Sequence, residues 1–153
     1  MAKGTATLRI IDRDRGWKAL EKRLAKLAAG QAVVSVGIFG DSGVARYAAF
    51  NEFGTSTAPA RPFIRSTFDR RRGVYANLLA EGAGQIIDGT RTPDQVLTKL
   101  GLLAKADIQR AITSIASPPN APSTVRSKGS SNPLIDTGAM RNAVAFQVGY
   151  RPR

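Results

Sequence analysis

The sequence predicts an α+β fold, and three features carry that prediction. Apolar and β-branched runs of strand length stand at residues 33–39 and 143–148. Between them lie long stretches whose apolar residues recur three and four apart, the spacing of one helix face. The resulting order, strand, helix, strand, helices, strand, points to α+β. The expected architecture is one domain over residues 1–153, with a small mixed or antiparallel sheet packed with about four helices. An extended, mobile Pro/Ser/Gly-rich loop is expected at 117–133. A length of 153 residues and a hydrophobic fraction of 42% are enough for one core of ordinary size.

Taken in order, residues 5–11 carry Leu8, Ile10 and Ile11 in weak alternation and predict a first short strand. Trp17, Leu20, Leu24, Leu27 and Ala28 then repeat at helical spacing among Lys18, Lys22, Arg23 and Lys26, with Gly30 as the stop. Val33, Val34, Val36, Ile38 and Phe39 predict a central or half-buried strand, closed by the turn Gly40-Asp41-Ser42-Gly43. Val44, Tyr47, Ala48 and Phe53 suit a short helix ended by Gly54. Residues 55–62 read as a rigid polar connector. Pro62 is expected in the first turn of the next helix, where its missing N–H leaves nothing unpaired. That helix runs from about 63 towards 87, with Phe63, Ile64, Thr67, Phe68, Val74, Tyr75, Leu78, Leu79, Ile86 and Ile87 facing inward. Gly82 and Gly84 are expected to kink or fray it.

Thr92-Pro93-Asp94 is a strong helix start: a capping hydroxyl, a proline in the first turn, and an acid at the positive end of the dipole. The apolar spacing from Val96 through Ile115 carries that helix to about 116. Residues 117–133 hold Pro118, Pro119, Pro122 and Pro133 among serines and glycine. A structureless stretch of that length in a compact domain is usually functional or mobile. A helical turn through about 142 and a final strand over 143–148 complete the chain.

Composition excludes several kinds of chemistry. There is no cysteine and no histidine, which removes disulfides, Cys/His zinc sites, thiol nucleophiles and every Ser-His-Asp arrangement. No apolar run approaches the roughly 18 residues of a membrane-spanning helix, and residues 1–7 lack the apolar stretch of a signal peptide. Leu134-Ile135-Asp136-Thr137-Gly138-Ala139 matches the core of retroviral aspartic proteases, whose chemistry needs two such aspartates sharing a proton. The motif stands too near the end of the sequence for a flap and barrel to follow, so Asp136 is read as the cap of a turn beginning at Thr137. Gly37-Ile38-Phe39-Gly40-Asp41-Ser42-Gly43 fits neither dinucleotide spacing nor the P-loop with its lysine. Glu52 and Asp69 have no partnering histidine. The chain therefore reads as no enzyme, with no cofactor, no metal and no membrane partner.

Charge is the more informative quantity. Lys and Arg number 23 against 11 Asp and Glu, for a net charge of +12. Arg61, Arg65, Arg70, Arg71 and Arg72 cluster near one helix start, opposed there only by Asp69, and Arg126 and Lys128 lie in the Pro/Ser-rich stretch. Such excess favours phosphate backbones or an acidic protein face. Arg65, Arg70, Arg71, Arg72, Arg126 and Lys128 are the candidates for such contacts. No interleaved aromatic–basic platform or zinc finger supports sequence-specific readout.

Three stretches carry a resemblance. They are Val36-Gly37-Ile38 followed by Tyr47 to Asn51-Glu52-Phe53-Gly54-Thr55; then Pro59-Ala60-Arg61-Pro62-Phe63-Ile64-Arg65; and finally Asn132-Pro133-Leu134-Ile135-Asp136-Thr137-Gly138-Ala139-Met140-Arg141-Asn142-Ala143-Val144. In this order and spacing, over about residues 33–148, the chain resembles the neck or tail-completion (head–tail joining, virion morphogenesis) family of tailed bacteriophages. Asn51, Glu52, Phe53, Gly54 and Thr55, with Arg61, Pro62 and Phe63, match the family's central signature. Leu134, Ile135, Asp136, Thr137 and Gly138 match its C-terminal one. Arg65 departs from it by leading into Ser66-Thr67 where a further proline or alanine is expected. The resemblance implies a structural, non-catalytic virion protein that joins tail to head as a ring of itself, expected to be a hexamer. It implies the neck as location, assembly in the host cytoplasm, and head-connector and tail-terminator or tail-tube proteins as neighbours, with nonspecific contact to packaged DNA. The alternatives are a tail terminator or a nonspecific DNA-binding assembly protein.

Overall fold

The computed structural model describes residues 16–28, 31–40 and 43–151. Six helices and two strands follow in the order α1 (Trp17–Ala28), β1 (Gln31–Ile38), α2 (Gly43–Phe53), α3 (Arg65–Ile87), α4 (Pro93–Ser114), α5 (Pro122–Lys128), α6 (Ala139–Asn142) and β2 (Val144–Arg151). This is a small α+β fold, with more helices than the four expected. The expected strand at 5–11 and the Asp41-Ser42 turn lie outside the described residues.

β1 and β2 pair antiparallel in unbroken register from Gln31 opposite Arg151 to Ile38 opposite Val144. Two strands alone bury too little to be stable, and α4 supplies the missing surface by packing along both. The approach is close: a Cβ on Gly101 of α4 would meet the ring of Phe146 on β2 at 2.3 Å. The main core gathers Phe63, Ile108, Ala111, Ile112, Leu134, Met140 and Val144, with Ala48 from α2. A second cluster of Tyr75, Leu100 and Ala104 joins α3 to α4, with Val34 and Val36 of β1 packed on it.

α4 begins as its sequence requires. Thr92 Oγ1 accepts the Gln95 N–H and Gln95 Oε1 accepts the Thr92 N–H, a reciprocal capping box, with Pro93 in the first turn. α3 departs from expectation in three ways. It starts at Arg65, so Pro62 lies ahead of the helix rather than in its first turn. It passes through Gly82 and Gly84 without a break, because Gly82 makes room for Val96 of α4, whose Cγ1 a Cβ there would meet at 2.3 Å. And Phe68, Val74, Leu79 and Ile87 are exposed rather than inward. The Pro/Ser/Gly-rich stretch is not structureless throughout, since residues 122–128 form α5, closed by Gly129 in the left-handed region at φ 66°.

Candidate functional site

The residues singled out at 51–63 are tied together by a buried polar knot at the start of α3, and the motif at 132–138 joins them only through the apolar core that Phe63 shares with Leu134. The first turn of a helix leaves N–H groups without partners, and α3 has no side-chain cap of its own on Ile64. Glu52, at the end of α2 and only 4% exposed, fills that role from 11 to 13 residues upstream. Its Oε2 accepts the N–H of Phe63 (2.8 Å) and Ile64 (2.9 Å), and its Oε1 accepts the N–H of Arg65 (2.9 Å). A carboxylate at a helix N-terminus is favoured by the dipole and by charge-assisted bonding. The Arg65 guanidinium closes the arrangement, donating from Nε to Glu52 Oε1 at 3.1 Å and from a terminal nitrogen to the Glu52 carbonyl at 2.8 Å. The same guanidinium lies 4.9 Å over the Phe53 ring.

Arg61 extends the knot to the Pro-rich stretch. Its N–H donates to the Asn51 carbonyl, while its buried guanidinium donates to the carbonyls of Pro118 (2.6 Å) and Pro119 (2.9 Å). Gly54 makes the connector possible. Its φ of +78° is left-handed, and a Cβ there would meet the Ala60 nitrogen at 2.9 Å. Thr55 Oγ1 then accepts the N–H of Ala58 at 3.0 Å, holding the turn that returns to Arg61. Phe63 and Leu134, from different motifs, are both essentially inaccessible in one core.

The C-terminal motif is held by Asn132. Its Oδ1 accepts the N–H of Leu134 and Ile135, both at 3.0 Å, and its Nδ2 donates to the Thr113 carbonyl at 2.8 Å. Asp136 and Thr137 are exposed. Thr137, not Asp136, takes the capping contact, accepting the Ala139 N–H at 3.3 Å, and Gly138 is the N-cap of α6 at φ 78°.

The basic candidates separate by position. Arg70, Arg72 and Arg126 are exposed. Arg71 instead reaches across to α4, where the 5%-exposed Asp107 takes Arg71 Nε at 2.8 Å, Tyr75 Oη at 3.0 Å and Arg110 at 2.9 Å. The hydrogen bond to Asp107 holds the Arg71 guanidinium above its ordinary value. Burial first, then the bond to Asp107, pushes the Tyr75 phenol up to about 12. Lys128 Nζ donates to the carbonyls of Asn132 (3.2 Å) and Pro133 (3.4 Å). Sequence reasoning missed Asp107 and the role of Asn132. A lone acid at an inward position of α4, between Ala104 and Ala111, was the available signal for the first.

Among the described residues no three acidic side chains gather where a metal ion could be held, and no helix is long and apolar enough to cross a membrane. Compared with protein-family models, with characterised proteins and with solved structures, the chain gives no match.

Proposed function

We propose that the chain is a structural ring component of the neck of a tailed bacteriophage, completing the tail so that it joins the head. One observation supports this above the others. The separate motifs whose order resembles the neck family share one apolar core through Phe63 and Leu134, and Glu52 and Arg61 hold the backbone that leads into it. A pattern that builds a fold is far less open to coincidence than scattered matches in surface loops. The net charge of +12 suits a wall beside DNA, with Arg70, Arg72 and Arg126 as its accessible contacts.

The reading is tested by removing the chain from an infection. Filled heads and finished but separate tails should accumulate, and the purified protein, added to that lysate, should restore joined particles. Normal joining without the chain contradicts the proposal. A nonspecific DNA-binding role, favoured by the charge alone, instead predicts tight, steeply salt-dependent binding to duplex DNA by the monomer.

A further inference from the structure

A groove of about 850 Å³ is lined by Tyr47 and Phe50 of α2 and by Pro119, Ala121 and Thr124 of the stretch that leads into α5. Asn51 and Arg61 line it too, and each is only 7% exposed. The Arg61 N–H donates to the Asn51 carbonyl, which holds the two side by side. Arg61 uses its Nε–H and one terminal N–H on the carbonyls of Pro118 and Pro119, and no carboxylate pairs with it among the described residues. Its other terminal nitrogen, Nη1, makes no bond there. Asn51 Nδ2 donates to the Tyr47 carbonyl at 2.9 Å, while Asn51 Oδ1 accepts nothing among the same residues. No side-chain nitrogen or oxygen sealed from solvent lacks a partner. Arg61 Nη1 and Asn51 Oδ1 are therefore open outward, and the groove is the hollow that both residues line.

A buried cation held only by neutral carbonyls favours an anion more strongly than an exposed one does. The chain around the groove supplies none. Residues 43–63 and 117–133 contain a single acid, Glu52, whose two oxygens are taken by the start of α3, against Arg46, Arg61, Arg126 and Lys128. The exposed Asp136 lines a separate hollow beyond Tyr47, with Gly43 and Met140. Arg61 calls for an anion and Asn51 Oδ1 for an N–H. An acidic residue in an extended peptide offers both, a carboxylate and a backbone N–H. A nucleic-acid backbone offers phosphates without an N–H, and is held by exposed cations rather than by one recessed guanidinium. Because Arg61 is recessed, the carboxylate must arrive on a side-chain arm that leaves its backbone at the rim. We infer that the groove docks an extended segment of a partner protein. A glutamate of that segment pairs with Arg61, a backbone N–H beside it meets Asn51, and an apolar neighbour covers the half-exposed Tyr47 and Phe50. The site goes beyond the neck reading and stands whether or not that reading does.

The test is an NMR titration of the whole chain with the blocked peptide acetyl-Ala-Leu-Glu-Leu-Ala-amide, carried to about 10 mM because one ion pair and a few apolar contacts bind weakly. The same peptide with glutamine in place of glutamate, and octathymidylate, are titrated beside it. The glutamate peptide should shift the Arg61 Nε–H signal and the backbone signals of Phe50 and Ala121 saturably. The glutamine peptide should bind about tenfold more weakly or worse. Phe50→Ala removes an exposed wall of the groove and no buried polar contact. It should keep its melting temperature within a few degrees and weaken the glutamate peptide by about three- to tenfold. Equal binding of the two peptides, unchanged binding by Phe50→Ala, shifts confined to the exposed Arg46 and Arg126, or no shift at about 10 mM overturns the site. Octathymidylate moving the Arg61 signal at lower concentration than the glutamate peptide would make the groove a nucleic-acid contact, and overturns it too.

Discussion

Glu52 does the work of a capping residue from a different helix, and its replacement separates that role from ordinary surface chemistry. Glu52→Ala leaves three backbone N–H groups and the Arg65 Nε–H without their acceptor. A loss of about 2–4 kcal/mol is expected in urea unfolding. Phe53→Ala, one position on and 68% exposed, loses only the ring beneath Arg65 and should cost monomer stability no more than about 1 kcal/mol. Equal effects would refute the capping role. Tyr75 gives a pH-dependent counterpart. Its phenol titrates near 10 when unfolded and at about 12 when folded, so between these values the unfolded chain binds fewer protons. Its contribution is therefore complete below pH 10 and lost as pH rises towards 12. Tyr75→Phe should fall less in stability over that interval than the parent, and parallel declines would contradict the assignment. Neither role was fully legible in the sequence. The partners of Glu52 are mostly backbone groups, which leave no residue pattern, and the partner of Tyr75 lies 32 positions away.

At the scale of elements, local signals were read well and tertiary ones poorly. The start of α4 was legible because capping hydroxyl, proline and acid all act within one turn. Thr92→Ala should accordingly cost about 1 kcal/mol in thermal or urea unfolding, and no measurable loss would refute the cap. α3 starts at Arg65, later than the local pattern at 62–63 predicts, because its cap comes from Glu52 of α2 and not from a neighbouring side chain. The smooth passage of α3 through Gly82 reflects the neighbouring Val96, a contact no helix propensity contains. Gly101 carries the same lesson with a larger consequence. Gly101→Ala must displace the Phe146 ring or spread α4 from β2, and overpacking of this kind costs about 1–3 kcal/mol. A gain in stability, as expected for alanine over glycine in a free helix, would show that the strand does not press on α4 there.

Over the whole molecule, the class of fold was legible from the order of periodicities, while the sharing of labour among charges was not. Arg70, Arg71 and Arg72 are neighbours in sequence, yet successive helical residues point some 100° apart. One of them therefore belongs to the Asp107 network and two face outward. A triple replacement would confuse stability with contact; Arg70→Glu with Arg72→Glu isolates the surface. That double variant should keep its melting temperature within a few degrees and lose head–tail joining activity. The central claim is the neck ring, and cryo-electron microscopy of purified virions tests it most directly. The account predicts side-chain density for this chain as a closed ring between head connector and tail tube. Its absence from mature, joined particles would contradict that account.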